Sequence, residues 1–362
     1  MCKVKGGKVT MPSALFNHIL VSGIACAVPS KQMDNNNYAE VLGEEEVKKF
    51  IKNTGVVHRH VTHEKQTTSD LCYEAAKNLL AHKGYSAESI DAIIFISQTP
   101  DYIQPATSHV LHKRLGLSKN CLSFDVNLGC SGYVYGMFLS SSLIQSGAVN
   151  RVLLLTGDIL RKNKETNIKD EMLFGDAGSA TLLERGNTTV RSLLHSNGEG
   201  YTALITPGGN TRRPLKDNES YWEITKPEMD GAAVFEFTIT EVPQAFDEYF
   251  KTFDGSMDDY DYCVLHQANL FMMNHIRKKL KVDQSKLPIS IDRYGNTNGA
   301  SIPITIVNLC SREAVADKLK LITSGFGIGL SWGVVSFEIE TKDVLPMVYS
   351  DSYFEEAYYG EQ

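Results

Sequence analysis

Apolar positions along the chain fall into two alternating patterns: short runs of strand length, and longer stretches in which apolar residues recur every third or fourth place. The run His18 to Cys26 reads as a first strand, ending at Pro29. Helical spacing follows from Tyr38 to Lys52, with the acidic run Glu44-Glu45-Glu46 near its middle. Thr68-Ser69-Asp70 is a helix-start signal and predicts a helix over Leu71 to His82. Ile90 to Ser97 reads as a buried strand and Ser108 to Leu115 as a helix. A helix running to about Ser146 follows Cys130, then the strand Arg151 to Thr156 and the segment Leu173 to Leu183. From about residue 186 the order restarts: strand, irregular insertion, helix Val234 to Phe250, strand, helix Phe271 to Leu280, helix Ile302 to Leu309 and closing strands. Such alternation predicts a layered α/β fold. Its expected division is 1–185, 186–341 and an acidic, aromatic tail over 342–362.

The longest apolar runs, such as Ile90 to Ser97 and Val152 to Leu155, are strand-sized, far from the roughly 20 residues of a membrane helix. The start, Met1 to Lys8, is basic but lacks a following apolar segment of the secretory kind. The expectation is a soluble cytoplasmic protein with no membrane partner. With 362 residues, 42% of them hydrophobic, the chain can bury a large core in two domains or one duplicated fold. Seven cysteines (2, 26, 72, 121, 130, 263 and 310) show no CxxC spacing, which argues against a disulfide framework. The net charge of −7 argues against a nucleic-acid partner.

One cysteine stands apart. The segment Phe124 to Met137 begins as a strand and passes through Gly129-Cys130-Ser131-Gly132 into an apolar helix. A thiol at a helix N-terminus is expected to ionise more readily than a free one. The flanking glycines leave room for a substrate. In Tyr262 to Leu270 a strand delivers His266 to its C-terminal end, and in Asp292 to Ser301 a turn-rich loop carries Asn296 to the start of a helix. Taken singly, His266 reads equally well as a core histidine, and Asn296 as a cap or turn residue. Together, at the ends of successive elements of an α/β sheet, Cys130, His266 and Asn296 supply a nucleophile and two hydrogen-bond donors, a set suited to thioesters. His58, His60 and His63 form an HxHxxH cluster, but little else assembles nearby, and no metal site is expected.

These motifs resemble the β-ketoacyl-acyl-carrier-protein synthase III group of the thiolase superfamily. The resemblance rests on six segments in order: Asn53 to His60, the Cys130 motif, Leu173 to Ala180, His266-Gln267-Ala268-Asn269, Tyr294-Gly295-Asn296-Thr297, and Gly325 to Gly333. It implies a five-layer αβαβα fold of two similar halves, usually dimeric. It implies that Cys130 takes the starter acyl group, and that His266 and Asn296 promote decarboxylation of a malonyl-type extender. The backbone at Cys130 and at the Gly327-Ile328-Gly329 turn, Ile328 in particular, would form the oxyanion hole. Asn53, Asn269, Phe271, Phe326, Gly327 and Gly329 would fall in the region that receives coenzyme A or carrier protein. No cofactor is implied beyond coenzyme A or acyl-carrier thioesters as substrates.

The match departs from the family's pattern at three places. Met33 to Tyr38 lacks the family's usual Trp, Asn53 replaces its Arg, and Phe271 replaces a basic residue. These changes favour a specialised synthase over the housekeeping initiator of fatty-acid synthesis. Arg277-Lys278-Lys279 is a candidate carrier contact, although a solvated helix end reads as well. The glycine-rich segment Gly198 to Met229 reads as a loop near the site mouth. Two other readings stand beside condensation: an acyltransferase passing acyl-Cys130 to a hydroxyl or amine, and a non-catalytic partner subunit sharing the fold.

Overall fold

The computed structural model describes residues 12–160 and 167–355. The basic start, Cys2, and the tail residues Tyr358 and Tyr359 lie outside the described residues. The principal elements of the first part are β1 (Ser13–Val28), α1 (Glu44–Thr54), α2 (Thr68–Lys83), β2 (Ala92–Ile96), α3 (Thr107–Leu115), β3 (Leu122–Val126), α4 (Gly132–Gln145) and β4 (Arg151–Asp158). Then follow β5 (Ala177–Ser196), α5 (Gly231–Phe253), β6 (Tyr262–Leu265), α6 (Leu270–Leu280), α7 (Ser301–Arg312), β7 (Lys318–Gly327) and β8 (Ser331–Glu340).

Most of these lie where the apolar pattern puts them. The helix expected over Tyr38 to Lys52 does not run unbroken. A single turn, Ala39–Leu42, ends at Gly43, whose φ of 85° no other residue adopts cheaply, and α1 starts afresh at Glu44. The acidic run therefore occupies the first turn of α1, where it favours the helix dipole. At α2 the start signal is a capping box, Thr67 and Asp70 each bonding the other's backbone.

The sheet order is β6-β7-β8-β5-β4-β2-β3, with β1 beside β5. Strand β2 runs parallel to both β3 and β4, and its five residues are all buried, as a strand covered on both faces must be. Strand β5 is longer than the segment ending at Leu183 because it has partners along its whole length: β4 and β1 at first, β8 near its end. It passes residues 185 and 186 without a break, so the two expected halves share it.

Three cores stack across this framework. Helices α4 and α7 lie in a central core between sheet faces; α2 and α3 cover one outer face, and α5 and α6 the other. That is the five-layer αβαβα order. The described part of the tail is stitched to its own chain. Val348–Tyr349 pairs parallel with the end of β1, Gln66 donates to the carbonyls of Ser350 and Ser352, and Phe354 N donates to Asp70. The segment 198–229 is less open than expected, with a short ladder between Leu204–Ile205 and Glu228–Met229 and a helical turn at Tyr221–Ile224.

Candidate active site

Cys130 lies in the turn from β3 to α4, two residues before the helix begins. Its neighbour Ser131 is tied to Ser331 at the start of β8 (Oγ to Oγ 2.6 Å), so the turn is pinned to the far strand. Gly327, the last residue of β7, presses on Cys130 itself. A Cβ there would lie 2.6 Å from Cys130 Cβ and 3.0 Å from its Sγ, so only glycine fits. Ile328 follows in the turn, where its carbonyl accepts from Ser331 Oγ (2.9 Å). Asn197 and Leu330 exchange backbone hydrogen bonds (2.8 Å each), which brings the start of the 198–229 insertion against this turn.

His266 follows β6 and is held on both sides. Its backbone N–H donates to Ser324 of β7 (2.8 Å), and Nδ1 pairs with Ser301 Oγ at the start of α7 (2.7 Å). The Phe326 ring stands edge-on to the imidazole, with centroids 5.4 Å apart. Phe326 sits between Gly325 and Gly327, both packed on the Cys130 turn, and so links histidine to cysteine. The Asn296 backbone is bracketed by the Leu173-Phe174-Gly175 segment: Asn296 N donates to Leu173 O (2.9 Å) and Gly175 N to Asn296 O (3.1 Å). A side chain at Gly175 would overlap the Tyr294 carbonyl, which explains a glycine in that motif. Asn296 Nδ2 donates to Ala268 O (3.3 Å), and Oδ1 accepts from the Asn298 N–H (2.9 Å).

Asn298 is a residue that the sequence did not single out. Its φ of 49° is the left-handed region that asparagine tolerates best after glycine. Its N–H holds Asn296, its carbonyl faces His266, and its side chain lies against Gly129. The structure thus brings Cys130, His266 and Asn296 around one site. The Asn-Gly pair in Asn296-Thr297-Asn298-Gly299 was the legible signal for that turn.

The electrostatics overturn one expectation. The Cys130 thiol is not acidified by its helix. It keeps some accessible surface, but desolvation pushes it up to about 12, with the Asp158 carboxylate adding to the rise. A helix N-terminus contributes a partial charge, and burial outweighs it. Burial also depresses His266 to about 3, against the smaller opposing pull of the Asn298 carbonyl. The free site therefore holds a neutral thiol and a neutral imidazole.

The remaining predicted residues divide into two groups. Asn53 and Phe271 line a cleft of about 440 Å³ with Lys52, His275, Arg277 and Lys278. Phe271 is half exposed, stacks on Phe235 (5.4 Å) and abuts His275 (4.3 Å). Asn269 faces inward to its own helix, where its side chain caps α6 by accepting from Met272 N (2.8 Å). In the histidine cluster, His60 Nδ1 engages Pro29 O (2.7 Å) and His63 Nε2 engages Asp351 O (3.0 Å).

Comparison with known proteins places this geometry. The sequence profile of 3-oxoacyl-[acyl-carrier-protein (ACP)] synthase III matches residues 124–198, and that of its C-terminal region matches residues 252–339. A β-ketoacyl-[acyl-carrier-protein] synthase III of Streptococcus gordonii is 31% identical over 324 residues, covering 87% of this chain and 97% of that protein. The crystal structure of a 3-oxoacyl-(acyl-carrier protein) synthase from Burkholderia xenovorans superposes with a TM-score of 0.86 at 35% identity, covering 94% of this chain and 99% of the other. Xanthomonas campestris OleA, at 19% identity and a TM-score of 0.76, shares the fold.

Proposed function

The chain belongs to the 3-oxoacyl-[acyl-carrier-protein] synthase III family of condensing acyltransferases, and from that premise we propose roles for its residues and its substrates. Cys130 attacks the carbonyl of a starter thioester. The Sγ–acyl bond forms, the donor's C–S bond breaks, and the thiol proton leaves with the departing sulfur by way of His266. With Nδ1 taken by Ser301, His266 presents Nε2 to the substrate. Backbone N–H groups at Cys130 and Ile328 receive the oxyanion. A malonyl-type thioester then loses carbon dioxide, and its electron pair passes to an enolate whose oxygen accepts from Asn296 Nδ2 and His266. The enolate carbon attacks acyl-Cys130, the Sγ–acyl bond breaks, and a β-ketoacyl thioester leaves while the Cys130 thiolate takes a proton from solvent. No step calls for a resident cofactor.

The convergence of His266, Asn296 and the Gly129-Cys130 turn on Asn298 carries this reading. An amide donor beside the histidine serves an enolate, whereas acyl transfer to a hydroxyl or amine needs none.

The cleft beside Phe271 is the proposed seat of the donor's phosphate-bearing arm. Lys52, Arg277 and Lys278 meet its charge, and the Phe235–Phe271–His275 stack offers a face to a ring or a chain. With phenylalanine where the family carries a basic residue, we favour a specialised pathway. The two chain segments 1–185 and 186–341 are proposed as its pseudo-repeated halves. A homodimer is supported by strand β3, which ends the sheet with Leu122 46% exposed, and by Ile103, 90% exposed on the loop after β2. Its proposed place of work is the cytoplasm; among the described residues, no helix is long and apolar enough to cross a membrane.

Intact-protein mass spectrometry after mixing with acyl-coenzyme A and acyl-carrier donors tests the scheme. One acyl mass should appear on the wild type and be absent from Cys130→Ala. A folded wild type that takes no acyl group from any donor would reject it.

A further inference from the structure

A buried carboxylate that this scheme leaves unused lies directly behind the nucleophile. Asp158, the last residue of β4, is 1% exposed. One of its oxygens accepts from Gln98 N (2.7 Å), Ser97 Oγ (3.1 Å) and Thr99 Oγ1 (3.3 Å), all in the turn that follows β2. The Gly299 N–H, from the turn that precedes α7, also faces the carboxylate, although Oδ2 makes no full hydrogen bond. These two turns close over Gly129. The Gln98 and Asn298 side chains meet there (Oε1 to Nδ2 3.5 Å) and fill the space that a Cβ on residue 129 would take. A Cβ on Gly299 would lie 3.2 Å from Gly129 O and 3.7 Å from Asp158 Oδ2, so that glycine is the spacer between carboxylate and nucleophile turn. One of the turns overlies the residue before Cys130. The other carries Asn298, whose backbone holds Asn296 and faces His266.

We propose that Asp158 is a positioning residue for the condensation, anchoring the Ser97–Thr99 turn by hydrogen bonds and packing it against the Asn298–Gly299 turn, so that the nucleophile and the two donors are set by one buried group. The assignment rests on the reading of Cys130 as nucleophile. It has a cost that a merely structural anchor would not share. The charge of Asp158 raises the Cys130 thiol, and it also raises Cys72, the other thiol it faces. A neutral anchor would leave Cys130 more easily ionised. Asp158 therefore trades thiolate supply for geometry.

Asp158→Asn keeps the shape and an accepting oxygen but removes the charge, and so drives two readouts in opposite directions. Iodoacetamide alkylation of Cys130, followed by peptide mass spectrometry across pH, should shift to lower pH. Condensation should fall by on the order of 10- to 100-fold, as expected when reacting groups are misplaced by a fraction of an ångström to an ångström. General damage to the fold would not speed the thiol while slowing condensation. Gln98→Ala leaves the charge in place and opens the contact over Gly129. It should slow condensation while the alkylation profile stays that of the wild type, and it serves as the deciding variant should Asp158→Asn not fold. Wild-type condensation in Gln98→Ala, or an unshifted profile with wild-type condensation in Asp158→Asn, overturns the proposal. A wild type that accepts no acyl group at Cys130 overturns the nucleophile reading instead.

Discussion

In the proposed scheme Cys130 and His266 start uncharged, so the acylating thiolate has to be made in the encounter with substrate. The alkylation rate of free Cys130 should accordingly climb with pH towards about 12, with no plateau near neutrality. A plateau near pH 7 would mean a standing thiolate–imidazolium pair. The histidine also marks stability. Its folded value of about 3 lies below the ordinary 6.5, so below pH 6.5 the unfolded chain takes up a proton that the folded chain refuses. Stability from this group is fully present above pH 6.5 and is lost as pH falls towards 3. Asp158, raised to about 7 from 3.8, has the opposite sign and gains stability over its own window as pH falls. A comparison of wild type with His266→Asn cancels that second effect. The wild-type melting temperature should fall more steeply from pH 6.5 to about pH 4, and parallel curves would show that His266 is not buried as a neutral ring. Asn296→Ala should impair decarboxylation more than acylation, and equal loss would make Asn296 structural. Gly327→Ala should slow formation of the acyl adduct by on the order of 100-fold through the crowding at Cys130. Residue identity made the triad legible in the sequence. The thiol's acidity was not, because desolvation depends on everything that packs around Cys130, and a local motif carries only the dipole.

At the scale of elements, the apolar period located nearly every helix and strand, because each buries one stripe or one face against its neighbour. Its failures have local causes. Gly43 breaks a helix whose hydrophobic spacing continues across it, and β5 outruns its apolar segment because its later part pairs with β1 and β8. Asn269, expected in the region that receives the donor, spends its side chain on capping α6. Asn269→Ala should therefore lower stability in chemical denaturation by about 1 kcal/mol. By contrast, replacing Lys52, Arg277 and Lys278 together by alanine should raise KM for carrier or coenzyme A thioesters. The kcat with a short donor lacking the phosphate arm should be unchanged. An unaltered KM would remove the cleft from the donor path.

At the scale of the whole molecule, the two ends of the chain depend on each other. Tail residue Tyr349 packs on His60 and lies beside Tyr294, two residues before Asn296, while Phe354 lies against Arg114, itself paired with Asp70 at the start of α2. A chain ended after Asp343 should melt lower by on the order of 5 °C and should decarboxylate malonyl thioesters more slowly than it acylates. Unchanged values in both would make the tail ornamental. None of this showed in the sequence, where the tail is only an acidic, aromatic stretch. Its role comes from long-range pairing with β1 that no local pattern encodes.

The wall that confines Cys130 also arrives late. Cys130 leaves the ribosome 197 residues ahead of Gly327, which presses on its thiol. Until β7 has emerged and docked, the nascent protein carries a reactive-site cysteine without its enclosure, open to cellular oxidants and electrophiles. Prematurely terminated chains would carry the same unguarded thiol.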